Sequence, residues 1–198
     1  MARLSRKETH AQTRARLVAT GTELFLSAGY NRTSLLQVAE AAGFTKGAVY
    51  SNFATKDELG LAVLTAVHEQ RAAALLHELT AATSRRAAID AFIGWAETNI
   101  GDVEWTAFEV EFGTSAVRND DSIRGALAAQ RRQLTDGLAA LLDHVAATFG
   151  IELPLPASAT ATHLLALGIG LGVQRAFDPD LGLDTLFAEV ERLLPDPG

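Results

Sequence analysis

The chain of 198 residues contains no cysteine. A disulfide framework, a thiolate metal site and a cysteine nucleophile are excluded together, and the absence fits a reducing compartment. Long apolar runs are missing too. The most apolar stretch, Leu164 to Val173, is about half of what a helix needs to cross a bilayer. The N-terminal MARLSRKETHAQTRARL has no apolar segment of the signal-peptide kind. A soluble, cytoplasmic protein with no membrane partner is therefore expected.

Catalytic signatures are also lacking. There is no phosphate loop, dinucleotide fingerprint, G-x-S-x-G or H-E-x-x-H. Gly168, Gly170 and Gly172 alternate without the strand-then-helix setting that a phosphate loop requires. Gly168 and Gly172 instead share a helical face and are expected to allow close helix approach at a dimer interface. His10, His68, His77, His144 and His163 never pair at three- or four-residue spacing. His68 and His77 fall on opposite faces of one helix. No metal, no cofactor and no enzymatic activity are expected.

What is present is a core-forming composition, 48% hydrophobic and 21% charged. The net charge is −7, yet it is unevenly spread. Residues 1–56 hold eight Lys or Arg (Arg3, Arg6, Lys7, Arg14, Arg16, Arg32, Lys46, Lys56) and three acids (Glu8, Glu23, Glu40), net +5. The rest holds nine Arg and twenty-one acids, net −12. A basic end on an acidic body suits a protein that offers one face to phosphates.

Helical periodicity dominates, with no convincing strand alternation, internal repeat or low-complexity segment. The first helix is expected from Thr9 to Ala28, striped by Leu17, Gly21, Leu24, Phe25 and Ala28, and closed by Gly29. Ser34 and Gln37 form a capping box opening a short helix to Ala42. Gly43-Phe44-Thr45 makes a tight turn, and Thr45 caps a third helix from Lys46 to Phe53. Thr55 to Glu58 reads as a second capping box, opening a long helix to Leu79. Two short helices joined by a glycine-containing turn are a helix-turn-helix. Beyond residue 80 further helices are expected, the last two over 158–177 and 184–194, with a frayed tail from Pro195 to Gly198. The expected fold is all-α, with about nine helices. An N-terminal three-helix helix-turn-helix domain (1–56) precedes a C-terminal helical bundle (57–198) for ligand binding and dimerisation.

The stretch from Arg16 to Leu59, which contains ELFLSAGYNRTSLLQVAEAAGFTKGAVYSNFATKDEL, closely resembles the DNA-binding domain of the TetR family of bacterial regulators. The likeness rests on positions at fixed spacing: Leu24-Phe25, Gly29-Tyr30, Thr33-Ser34, Val38-Ala39, Ala42-Gly43, Gly47, Tyr50, Phe53, Lys56 and Leu59. It implies that Tyr50 and Lys56 hold the phosphate backbone, with Ser34 and Thr45 adding contacts at helix N-termini. Physical chemistry agrees for Lys46: a cation in a first helical turn is disfavoured by the dipole and is better explained by an outside partner, a phosphate or a guanine edge. Gly47 lowers helix propensity by about 1 kcal/mol, acceptable where backbone approaches DNA or where helices pack closely. Ala48, Ser51 and Asn52 fall on the DNA side or its edges, and Gln37 lies on the exposed side of its helix. Leu36 either packs on a thymine methyl or turns inward.

The resemblance implies a dimeric transcriptional repressor that binds a palindromic double-stranded operator and is released by a small-molecule effector. Alternatives are a DNA-binding regulator without such a ligand and, more remotely, a small helical enzyme. For the effector, the sequence suggests walls of Phe92, Trp95, Trp105, Phe108 and Phe112, with Asn99 and Glu109 as polar contacts. Glu109 lies within an apolar arc, and so either lines a cavity or is paired, Arg131 and Arg175 being candidate partners.

Overall fold

The computed structural model describes residues 6–119 and 121–195, so the fraying expected after Pro195 lies outside the described residues. Among these there are nine helices and no strand: α1 (Arg6–Ala28), α2 (Leu35–Ala41), α3 (Lys46–Tyr50), α4 (Lys56–Ala81), α5 (Arg85–Asn99), α6 (Val103–Asn119), α7 (Asp121–Phe149), α8 (Ala157–Phe177) and α9 (Asp184–Leu193). The all-α architecture follows from the three- and four-residue spacing of apolar positions.

The chain divides into two compact units, residues 1–68 with 107–127, and residues 69–106 with 128–198. They are drawn differently from the expected division at residue 56, because the first also takes in the start of α4 and most of α6. Its centre is aromatic. Phe25 stacks on Phe108 at 5.6 Å and Phe108 on Phe112 at 5.8 Å, while Tyr30 meets Phe25 and Phe112 edge-on at 5.0 and 5.2 Å. All four rings are buried. Gly60 on α4 lets this cluster close, because a β-carbon there would lie 2.8 Å from the Phe112 ring.

Two turns in this unit require glycine. Gly29, after α1, and Gly43, after α2, have φ of +89° and +76°, where a side chain is strained. The stripe expected on α1 holds at Leu17, Gly21 and Phe25, which are buried, while Ala28 is exposed.

In the second unit, α5, α7, α8 and α9 enclose an aliphatic core that includes Ile89, Leu142, Leu164, Leu186 and Leu193. Arg85, in the first turn of α5, donates from Nε to the Leu194 carbonyl at 2.5 Å and so satisfies an acceptor at the end of α9. Gly168 and Gly172 do not face outward as a dimer interface would require. The β-carbon positions lie 3.5 Å from Ile100 Cδ1 and 3.6 Å from the Gly101 nitrogen. Close approach is indeed their role, but to the end of α5 in the same chain. No described helix is long and apolar enough to cross a membrane.

Candidate nucleic-acid interface

The capping chemistry read from the sequence places α2 and α3. Ser34 Oγ accepts from the Gln37 amide at 3.2 Å and Gln37 Oε1 accepts from the Ser34 amide at 2.7 Å. This closes the capping box. Thr45 Oγ1 accepts from the Ala48 amide at 3.2 Å. Thr55 caps α4 through the Glu58 amide, but Glu58 Oε2 accepts from Ala54 rather than from Thr55. Val38, Ala39, Ala42, Val49 and Phe53 are buried and fix the angle between the two short helices.

α3 ends at Tyr50, three residues before the expected end. Ser51 Oγ and Asn52 Nδ2 both donate to the Ala48 carbonyl, at 2.9 and 2.8 Å. The amides of Asn52 and Phe53 both turn to the Val49 carbonyl. Short polar side chains compete for helix acceptors in this way and stop the helix. Asn52 thus closes α3, and Arg14 braces the turn by donating to its carbonyl at 2.9 Å while its guanidinium lies 4.2 Å from the Phe53 ring centre.

The outward face carries Lys46, Gly47, Tyr50 and Ser51, all exposed, with Ala48 half-buried. Lys46 Nζ lies 5.9 Å from the Tyr50 ring centre. The nearest atom to a β-carbon at Gly47 would be Thr45 Oγ1 at 3.9 Å. No neighbouring helix requires a glycine there. Leu36 is exposed, not inward.

Beside this face is an open depression of about 360 Å³ lined by Asn31, Arg32, Ser34, Tyr50, Thr55 and Lys56, among others. Ser34, Tyr50 and Lys56 border the same depression. Asn31, Arg32 and Thr55 also border it, and none of them was among the residues expected to contact DNA. Lys56 is half-buried. Its Nζ donates to the Tyr30 carbonyl at 3.1 Å and lies 4.2 Å from the Tyr30 ring centre. Burial pulls the Lys56 pKa down, opposed by the charges of Asp57 and Glu111. The Tyr30 hydroxyl donates to Asp57, and burial, then that carboxylate, push its pKa far up.

The seven residues expected to bind an effector do not share one unit. Phe92, Trp95, Asn99 and Trp105 belong to the second; Phe108, Glu109 and Phe112 belong to the first. Phe92 stacks on Trp95 at 6.1 Å, and Trp95 Nε1 donates to the Arg71 carbonyl at 3.0 Å. Arg71 in turn donates to the Asn99 carbonyl at 3.2 Å and lies 4.7 Å from the Trp105 ring centre. Phe108 and Phe112 are covered by the aromatic core. Glu109 faces His68, at 3.7 Å. Arg175, one of its candidate partners, donates instead to the Ile100 carbonyl.

The two short capped helices α2 and α3 form a helix-turn-helix. Residues 17–63 match the family described as bacterial regulatory proteins, tetR family. The chain is 41% identical over 63 residues to the HTH-type transcriptional regulator TtgR of Pseudomonas putida, spanning 32% of this chain and 30% of TtgR. It is 31% identical over 99 residues to the HTH-type transcriptional activator FasR of Mycolicibacterium smegmatis, spanning 48% of this chain and 43% of FasR. Each match spans less than half the length of the relative. The fold extends further: reduced NemR of E. coli superposes with a TM-score of 0.75 at 21% identity, covering 94% of this chain and 99% of NemR. Residues 17–63 thus match the tetR-family N-terminal domain, and the helical fold of the chain as a whole is shared with NemR.

Proposed function

We propose that the protein is a cytoplasmic, dimeric transcriptional repressor that binds a palindromic operator and is released by a small molecule. The observation that carries the reading is the short, capped α3, which offers Lys46, Gly47, Tyr50 and Ser51 to solvent beside a depression bearing Arg32 and Lys56. A helix of this kind enters the major groove while flanking groups hold phosphates. Repression is the direction we assign, since a dimer lying across a promoter excludes polymerase without any further contact. FasR is named an activator, so the position of the operator decides the sign.

One recognition helix reads only a few base pairs, so a two-fold dimer on two half-sites is required. We assign the interface to α8 and α9. Ile169 and Phe177 on α8 are 41% and 86% exposed, on a face that also carries exposed Ala166 and half-buried Val173. The effector is assigned to the second unit, at the half-buried pair Phe92 and Trp95. The reading without an effector is favoured by the hydrogen bonds that Trp95 and Asn99 already make within the chain.

The test is selection of duplexes from a random pool by the full-length protein, followed by anisotropy titration at several salt concentrations. Enrichment of a palindrome with half-sites about one helical turn apart, and affinity that falls with salt, is the expected result. No enrichment and no binding at low salt would refute it. Screening small-molecule pools against the bound duplex separates the two readings: release supports an effector, and binding that nothing disturbs supports its absence.

A further inference from the structure

Glu111, on α6, reaches the turn between α1 and α2. The Asn31 amide donates to its Oε2 at 3.0 Å, and the β-carbon position of Gly29 lies 3.6 Å from the same oxygen. The carboxylate therefore lies along the backbone of this turn. The next residue, Phe112, holds the Tyr30 ring at 5.2 Å. Two consecutive side chains on one helix thus grip two consecutive residues of the turn, one through an amide and one through a ring.

The gripped segment is the one that leads to the depression. Asn31, Arg32, Thr33 and Ser34 line it, and Ser34 is the N-cap of α2. The Thr33 hydroxyl donates to the Gly29 carbonyl at 2.9 Å, and Lys56 donates to the Tyr30 carbonyl. A shift of the turn must therefore move Ser34 and Lys56 with it. Glu111 is also a negative charge acting on Lys56.

We infer that Glu111 is a positioning residue for DNA contact: its carboxylate fixes the α1–α2 turn at the depression, and its charge tempers the attraction of that depression for phosphate. This rests on the DNA-binding reading above. The two roles separate by substitution. Glu111→Gln keeps an acceptor for the Asn31 amide and removes the charge, whereas Glu111→Ala removes both.

The experiment measures hydrogen exchange of the Asn31 amide by NMR in the full chain, together with anisotropy on the selected duplex and on a scrambled duplex. In Glu111→Gln, Asn31 stays protected and both duplexes bind several-fold more tightly at low salt. In Glu111→Ala, exchange at Asn31 rises about ten- to a hundredfold, the scale of one charge-assisted hydrogen bond. The selected duplex then binds more weakly than to the glutamine variant. Equal exchange and equal affinity in the two variants overturn the role of Glu111 alone. If the wild type binds neither duplex, the DNA-binding reading fails and this role fails with it, whatever the exchange pattern.

Discussion

Gly60→Ala tests the aromatic centre of the first unit directly. The added β-carbon would lie 2.8 and 2.9 Å from two atoms of the Phe112 ring and 3.1 Å from the Tyr30 ring. Carbon pairs are at ease near 3.5–4.0 Å. Phe112 has nowhere to go, since it is fully buried and its ring lies parallel to that of Phe108, which is itself stacked on Phe25. Overpacking of this sort costs about 1–3 kcal/mol, and alanine offsets about 1 kcal/mol through helix propensity. With the rings held on both sides the upper half of the range applies, leaving a net loss of about 1–2 kcal/mol. For a chain of 198 residues this lowers Tm by about 2–8 °C. Gly94→Ala is the control: Gly94 is exposed within α5 and a β-carbon there meets nothing within 4 Å. It should gain up to about 1 kcal/mol. Urea unfolding and a thermal scan, both followed by circular dichroism, read the two variants. A Gly60→Ala protein as stable as wild type, or two variants that move in the same direction, would refute the reasoning.

Gly47→Ala should leave Tm unchanged or raised, given the open space at its β-carbon position, yet weaken binding to the selected duplex; unchanged affinity means the backbone does not approach DNA there. Lys46→Ala should weaken that binding by about 1–3 kcal/mol and relax preference at one symmetric pair of positions if it reads a base, which titration against single-base variants would reveal. Phe177→Asp should raise the dimer dissociation constant at least about a hundredfold, since burying two phenylalanines at a two-fold interface contributes about 3–6 kcal/mol; a sedimentation profile like that of wild type rules out the α8 assignment. Tyr30 has its pKa raised on folding, so the protein should be destabilised as pH rises above about 10, where the unfolded tyrosine ionises and the folded one does not. Below that pH the contribution is fully present, and Tyr30→Phe should flatten the alkaline slope while lowering stability at neutral pH; equal slopes would disprove the linkage.

Local chemistry was enough to place the two short helices of the candidate interface. Ser34 with Gln37, and Thr45 ahead of Ala48, are caps whose partners lie within three residues, so their geometry is set by the chain itself. The same holds for Gly29 and Gly43. The sequence thus determined the order of the helices, the helix-turn-helix and the family likeness. Where two outcomes were equally local it could not decide, as at the end of α3, where Ser51 and Asn52 take the Ala48 carbonyl. Partners distant along the chain were decided only by tertiary packing. The helical wheel put Glu109 inside the apolar arc, but only packing brings it within 3.7 Å of His68, on another helix. Glu111, two residues further along α6, meets the Asn31 amide across 80 residues. Gly168 and Gly172 announced a close approach, yet whether to a second copy or to Ile100 of the same chain depended on where α5 ends. Periodicity assigns a residue to a face of its own helix; what that face meets is settled by the packing of the other helices, through contacts that no local pattern encodes.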